Sequence, residues 1–425
     1  MEGRSFRNYK KIKRDNYNLH LINTDRFKTI TVSLKFTKKY NREESVYFKL
    51  LERVLPINGT ENYKSVNDIT KKLESLYNAN IGYKFYVTSE NMTFETNLRI
   101  INPKYTKEDT YKESFDLFKE ILTKPTLKNN QFKYFDLQKD NLINSILNVK
   151  DDLRSYSSLK FQEIFYKGTV YAENNYKNIK LFEDMESKKL YENYKKLFSE
   201  FKIDVFVIGE FDEEVLTKYI EELMKGFKSK DNYTKDLYTK VKCKESLVKD
   251  KFKESQSSLL IGLNINGLTD EERDYKLILY NTILGSMNNS VLFVNVREKN
   301  SLCYSIGSTI SKFTETMIIR SGISSDSFDD AVRLIKESLE EMKDEKKVDK
   351  LLKNAKKTLN IAYNDFYESS NKIIDYYFIR EFTILPSIEE RREKVMNLTS
   401  KDVTDIAKKV SIGLIYLMEG TLWKR

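Results

Sequence analysis

The chain has 425 residues, 40% hydrophobic and 32% charged, with 74 Lys and Arg against 64 Asp and Glu for a net charge of +10. That length exceeds one ordinary core and predicts two or three domains, and the composition describes a globular protein rather than a disordered or fibrous one. The positive excess is dispersed, with its densest runs at Lys10–Arg14 and Lys240–Lys253 and no aromatic platform beside them, which argues against nucleic acid as a partner.

Cys243 and Cys303 sit in no ligand-type spacing. Two lone thiols argue for a reducing compartment and against a disulfide framework. The opening stretch MEGRSFRNYKKIKRDNYN lacks the apolar segment of a secretory leader, and no run reaches the ~18 apolar residues that span a bilayer. A cytoplasmic protein without a membrane span is expected.

Asn18–Asn23 and Thr29–Phe36 read as strands, the second alternating Ile30, Val32, Leu34 and Phe36 with Thr31, Ser33 and Lys35. The lone histidine, His20, sits between Leu19 and Leu21, where such a residue packs or faces solvent rather than serving as a ligand. A helix over Glu43–Leu55 carries Val46, Leu50, Leu51, Val54 and Leu55 and precedes a Gly59-Thr60 turn. Val66–Leu76 is helical, and Ile81–Val87 with Met92–Ile100 makes a hairpin. Helices follow over Tyr111–Leu122, Gln131–Val149, Leu153–Tyr166 and Ser187–Phe198, then a strand over Ile203–Ile208 and a helix over Glu213–Met224.

Residues 230–253 are charged without apolar periodicity and read as a linker between a first domain, 1–229, and a second, 254–425. The plan then recurs: strand Leu259–Ile265, helix Asp274–Leu284, hairpin Cys303–Ile323 and helix Phe328–Met342. A long helix from Lys346 shows Val348, Leu352, Ala355, Leu359, Ala362 and Phe366 at four- and three-residue steps. Helices over Asn371–Phe382, Ile388–Met396 and Lys401–Val410 and a strand over Ile412–Met418 complete the chain. The recurrence predicts a duplicated α+β fold of two domains, each an antiparallel sheet covered by helices on one face.

The most specific stretch is Ile283–Ser308, ILGSMNNSVLFVNVREKNSLCYSIGS: a helix end, a polar turn, a short helix ending in Arg297, and a strand bearing Tyr304. It resembles the second domain of the insulinase/pitrilysin-like metallopeptidases, the family that includes the mitochondrial processing peptidase. Leu284, Gly285, Ser290, Leu292, Phe293, Val296, Arg297, Glu298, Lys299, Leu302, Tyr304 and Ser305 fit its pattern in register. Val291 departs where the family usually has Arg, and Ser301 where it usually has Gly. The resemblance spans nearly the whole chain and implies the same mitochondrial processing peptidase-like duplicated fold. It also extends to bacterial members named for an association with aminopentanol modification of elongation factor P.

Catalytic members of that family carry H-x-x-E-H on the helix before the Gly-Thr turn, with i and i+4 histidines holding zinc and the glutamate acting as base. Aligned on Gly59-Thr60, those positions fall on Leu50, Arg53 and Val54. With one histidine in the chain, no shift of register restores the motif. The carboxylate ligand that relatives place on a later helix falls near Asn144 or Ser145, neither of them acidic. The expectation is no bound metal, no cofactor and no peptide hydrolysis by the chain alone.

In two-chain members the inactive chain contributes an Arg and a Tyr from its second domain, and Arg297 and Tyr304 match that pair. The resemblance therefore implies a non-catalytic subunit that contacts a peptide's carbonyl beside a homologous chain with an intact zinc motif, or in a dimer with itself. One alternative is an inactive homologue that binds a peptide or protein with no part in hydrolysis. In a purely structural role, Arg297 would pair with a carboxylate and Tyr304 would pack in the sheet. An unrelated enzyme is disfavoured, because no phosphate-binding Gly loop, Ser nucleophile elbow or Cys/His pair is present.

Overall fold

A computed structural model describes residues 9–421; residues 1–8 of the opening stretch lie outside them. Two compact units result, each discontinuous in sequence. Unit 1 holds the described part of Met1–Ile146 with Asn178–Leu237 and Tyr367–Thr383. Unit 2 holds Leu147–Lys177, Tyr238–Phe366 and the described part of Ile384–Arg425. The units thus differ from the continuous halves 1–229 and 254–425, because each half lends a helical segment to the other's sheet. Periodicity shows that a helix has an apolar face and not which sheet buries it.

Unit 1 is built on β1 (Tyr9–Lys13), β2 (Asn18–Asn23), β3 (Thr29–Lys39), β4 (Asn80–Thr88), β5 (Asn91–Ile101) and β6 (Lys202–Gly209), in the order β1-β2-β6-β3-β5-β4. Unit 2 is built on β7 (Ser246–Phe252), β8 (Ser257–Ile265), β9 (Cys303–Ser311), β10 (Thr316–Ile323) and β11 (Val410–Gly420), in the order β7-β11-β8-β10-β9. That second order repeats β2-β6-β3-β5-β4 strand for strand. The pairing senses repeat too: β2 with β6 and β7 with β11 are parallel, and the other pairs are antiparallel. Each sheet expected to be antiparallel therefore carries one parallel pair, reached by a long crossover through helices.

Residues 230–253, expected as a linker, contain β7, a charged edge strand. The helix expected over Gln131–Val149 runs over Phe135–Leu147 instead. Before it, Leu127–Lys128 pairs with Gln131–Phe132 across Asn129 and Asn130, whose φ values of 52° and 59° make a tight hairpin turn.

In unit 1 the helix Arg42–Val54 is capped by Asn41, whose side chain accepts from the Glu44 N–H at 2.9 Å. It buries Val46, Phe48, Leu50, Leu51 and Val54. The polar side of β3 is covered as well, by the helix Ser370–Ile379. There the wholly buried Lys35 ammonium binds Glu95 at 2.7 Å, Asp375 at 2.9 Å and the Tyr86 hydroxyl at 3.1 Å. Burial alone would lower the Lys35 pKa, but Tyr86, Glu95 and Asp375 outweigh it and raise the value, so the ammonium stays charged. In unit 2 the helix Leu153–Phe165 lays Phe161 and Phe165 into a core with Leu260, Leu414 and Tyr416. Among the described residues no helix is long and apolar enough to cross a membrane.

Candidate functional site

Leu50, Arg53 and Val54 lie on one side of the helix Arg42–Val54, as i, i+3 and i+4 residues must. Leu50 and Val54 are fully buried and offer no lone pair. Arg53 donates from Nη2 to the Ser145 hydroxyl at 3.1 Å, and Ser145 donates to the Leu142 carbonyl at 2.8 Å. A hydrogen-bonded cation and two aliphatic side chains cannot hold zinc or act as a base.

Among the described residues one group of potential metal donors is gathered elsewhere in unit 1: His20, Asp204 and Glu381, with donor atoms within 4.8 Å of one another. His20 is buried, with Nε2 3.3 Å from Asp204 and Nδ1 2.9 Å from the Tyr9 hydroxyl. The Lys202 ammonium pairs with Asp204 and lies 3.4 Å from Glu381, and Lys11 reaches Glu381 at 2.7 Å. The cationic position is therefore held by lysine, and the group does not suit a metal ion.

The conspicuous stretch lies in unit 2. Its first helix, Glu272–Ser286, opens and ends in wide i→i+5 turns. At its end a Cβ on Gly285 would stand 2.4 Å from the Ser308 hydroxyl, so only glycine lets this backbone touch β9. Ser308 donates to the Asn281 side chain at 2.8 Å, tying helix to strand. The next turn, Phe293–Glu298, is anchored by Asn295, whose Nδ2 donates to Glu341 at 3.0 Å and to the Ser338 hydroxyl at 3.2 Å. Asn300 donates to the Asn295 carbonyl at 2.6 Å.

Arg297 is exposed, its guanidinium carbon 4.8 Å from the centre of the Phe293 ring. Among the described residues no carboxylate pairs with it. Ser301 then takes a φ of 55°, in the left-handed region where the family's usual glycine is comfortable. In β9, Cys303 pairs with Ile323 and Ser305 with Gly322, so Tyr304 is the extra residue of a β-bulge. Bulges re-aim side chains, and Tyr304 is 84% exposed with no hydrogen bond to its hydroxyl among the described residues. Among the described residues Arg297 has no ion pair, and Tyr304 projects from the sheet rather than packing in it. Burial raises the Cys303 thiol pKa, and the Ser321 hydrogen bond and the Arg297 charge offset only part of that rise.

Tyr304 lines a cleft of about 960 Å³ in unit 2, with Arg154, Gln256, Ser286, Ser308 and Arg320. Sequence reasoning did not find Arg154 and Arg320, which come from segments that no motif connects.

Residues 184–359 match the family described as "Peptidase M16 inactive domain". A Bacillus subtilis protein described as "Probable inactive metalloprotease YmfF" is 24% identical over 423 residues, covering 98% of this chain and 99% of that protein. A solved structure of a conserved protein from Enterococcus faecalis V583 is similar with a TM-score of 0.88 at 22% identity, covering 98% of this chain and 100% of that one. A peptidase M16 inactive domain from Pseudomonas fluorescens gives a TM-score of 0.75 at 16% identity, covering 98% and 100%. These matches and the duplicated α+β fold agree with the motif: residues 184–359 match the M16 inactive domain, and the whole chain is similar in sequence and fold to inactive M16 homologues, without H-x-x-E-H.

Proposed function

We propose that this chain is the non-catalytic subunit of a two-chain zinc-peptidase-like complex and presents Arg297 and Tyr304 to a peptide held by its partner. The observation that carries the reading is the bulge at Tyr304, which leaves the residue 84% exposed, with no partner for its hydroxyl among the described residues. An Arg guanidinium and a Tyr hydroxyl both donate to a carbonyl oxygen as it gains negative charge. The aliphatic and cationic residues at positions 50, 53 and 54 support a chain that supplies no zinc or base of its own. The partner is a homologous chain with an intact zinc motif, or a second copy of this one, and the substrate is a peptide or an unfolded protein. Free Cys243 and Cys303 suit a reducing compartment, and we place the protein in the cytoplasm.

The cleft beside Tyr304 also favours a second reading, a peptide-binding module with no part in turnover. Sedimentation of this chain with a homologous H-x-x-E-H chain, alongside peptide hydrolysis by each and by the mixture, tests the first. Hydrolysis that needs both chains supports it; chelator-sensitive hydrolysis by this chain alone sinks it.

A further inference from the structure

We propose that the cleft in unit 2 binds the carboxylate of a peptide, with Arg320 and Arg154 as its counter-charges. This deepens the reading above by naming a substrate class, and rests on it only in taking the ligand to be a peptide. The cleft is lined by two arginines and by no aspartate or glutamate. Arg320 stands on β10 opposite Leu260 of β8 and Gly307 of β9. Arg154 sits in the first turn of the helix Leu153–Phe165 and is exposed.

Neither guanidinium has an ion-pair partner among the described residues, and the Arg320 Nε is buried without a hydrogen bond. Buried cations are ordinarily paired, because an unpaired charge away from water is costly. The buried lysines of unit 1 show the rule: Lys35 and Lys202 each meet two carboxylates. Burial depresses the Arg320 pKa, and the charge of Arg154 depresses it further, so the two cations repel each other in a site that supplies no anion. A carboxylate would relieve that repulsion and satisfy the open donor through the guanidinium fork.

A peptide fits better than a free anion for two reasons. The volume of about 960 Å³ is that of a ligand site holding several residues. One wall is β9, the edge strand of its sheet, whose outer backbone groups can pair with an extended chain, and Tyr304 offers an aromatic surface at the same wall.

The test is calorimetric titration of the whole chain, without any partner, so that its outcome is separable from that of the two-chain reading. Four probes serve: an acetylated Gly/Ser hexapeptide with a free C-terminus, its C-terminal amide, the amide with an internal glutamate, and inorganic phosphate. One or both carboxylate peptides should bind at least tenfold more tightly than the neutral amide, and the arm that binds identifies which carboxylate is read. Arg320→Gln should weaken that binding tenfold or more. Arg154→Gln, at an exposed position whose change leaves the core intact, should weaken it severalfold and serves if Arg320→Gln does not fold. Equal or undetectable binding of acidic and neutral peptides would overturn the proposal. Phosphate that binds as tightly as the peptides and displaces them would make this a free-anion site and overturn the peptide assignment.

Discussion

Arg53 donates a hydrogen bond to the Ser145 hydroxyl at 3.1 Å, joining the helix Arg42–Val54 to the helix Phe135–Leu147. These are the positions that the family resemblance aligns with the catalytic base and the region of the carboxylate ligand. The contact brings a cation and a hydroxyl together at those aligned positions, and neither is a carboxylate.

The untagged chain is therefore expected to hold well under one zinc per molecule by metal analysis. Leu50→His, Arg53→Glu and Val54→His together should not restore stoichiometric zinc, because a third protein ligand is missing. Both histidines would enter fully buried apolar positions, at about 1–3 kcal/mol of stability each. Adding Ser145→Glu should create a zinc-dependent rise in melting temperature that a chelator reverses. One tightly held zinc in the unmodified chain would overturn this reading.

Acid should unfold the protein partly through Asp204. Burial pushes its carboxyl up, but the Lys202 ammonium and His20 outweigh that and hold it well below the usual carboxylate range. The folded value thus lies under the unfolded one of about 3.9. Its contribution to stability is present above that value and is lost progressively as pH falls from there toward the folded value, so the loss sets in below about pH 4. Urea midpoints measured from about pH 6 to pH 3 should fall less steeply for Asp204→Asn than for the parent. Lys202→Met, which leaves Asp204 and Glu381 without their shared cation, should cost about 3–5 kcal/mol at neutral pH. Parallel acid limbs for parent and Asp204→Asn would contradict the account.

Ser301 holds a φ of 55°, a conformation that costs a non-glycine residue about 1–2 kcal/mol. Glycine removes that strain but loses about 0.5–1 kcal/mol to unfolded-chain entropy. Ser301→Gly should therefore stabilise the chain by up to ~1 kcal/mol in urea unfolding. A clear destabilisation would mean that the serine conformation is not strained.

The strands and helices with clean apolar periods were legible in the sequence: β3 from its alternation, the helix Glu345–Phe366 from its four- and three-residue steps. The family pattern around Arg297 was legible because it is a local string. β1 and β7 were not, since YKKIK and SLVKDKF carry the charge that guards an exposed sheet edge. The strand repeat could have supplied β7, because β8 to β11 match β3 to β6 and leave β2 without a counterpart. The exchanged helices escaped notice because pairings such as Lys35 with Asp375 join residues 340 positions apart. Arg154 and Arg320 meet at one cleft for the same kind of reason: only the folded sheet brings their segments together.

The most direct measurement is turnover by the reconstituted two-chain complex carrying Arg297→Ala or Tyr304→Phe in this chain. On the proposed reading each change removes one donor to a carbonyl that becomes negatively charged in the transition state, a loss of about 2.7–4 kcal/mol or roughly a hundred- to thousandfold in turnover. Assembly and melting temperature should not move, because the Tyr304 hydroxyl bonds to nothing and Arg297 forms no ion pair among the described residues. Turnover that drops by two to three orders of magnitude with assembly intact is the predicted result. Turnover within about twofold of the parent for both variants, a difference of only ~0.4 kcal/mol, would contradict the account.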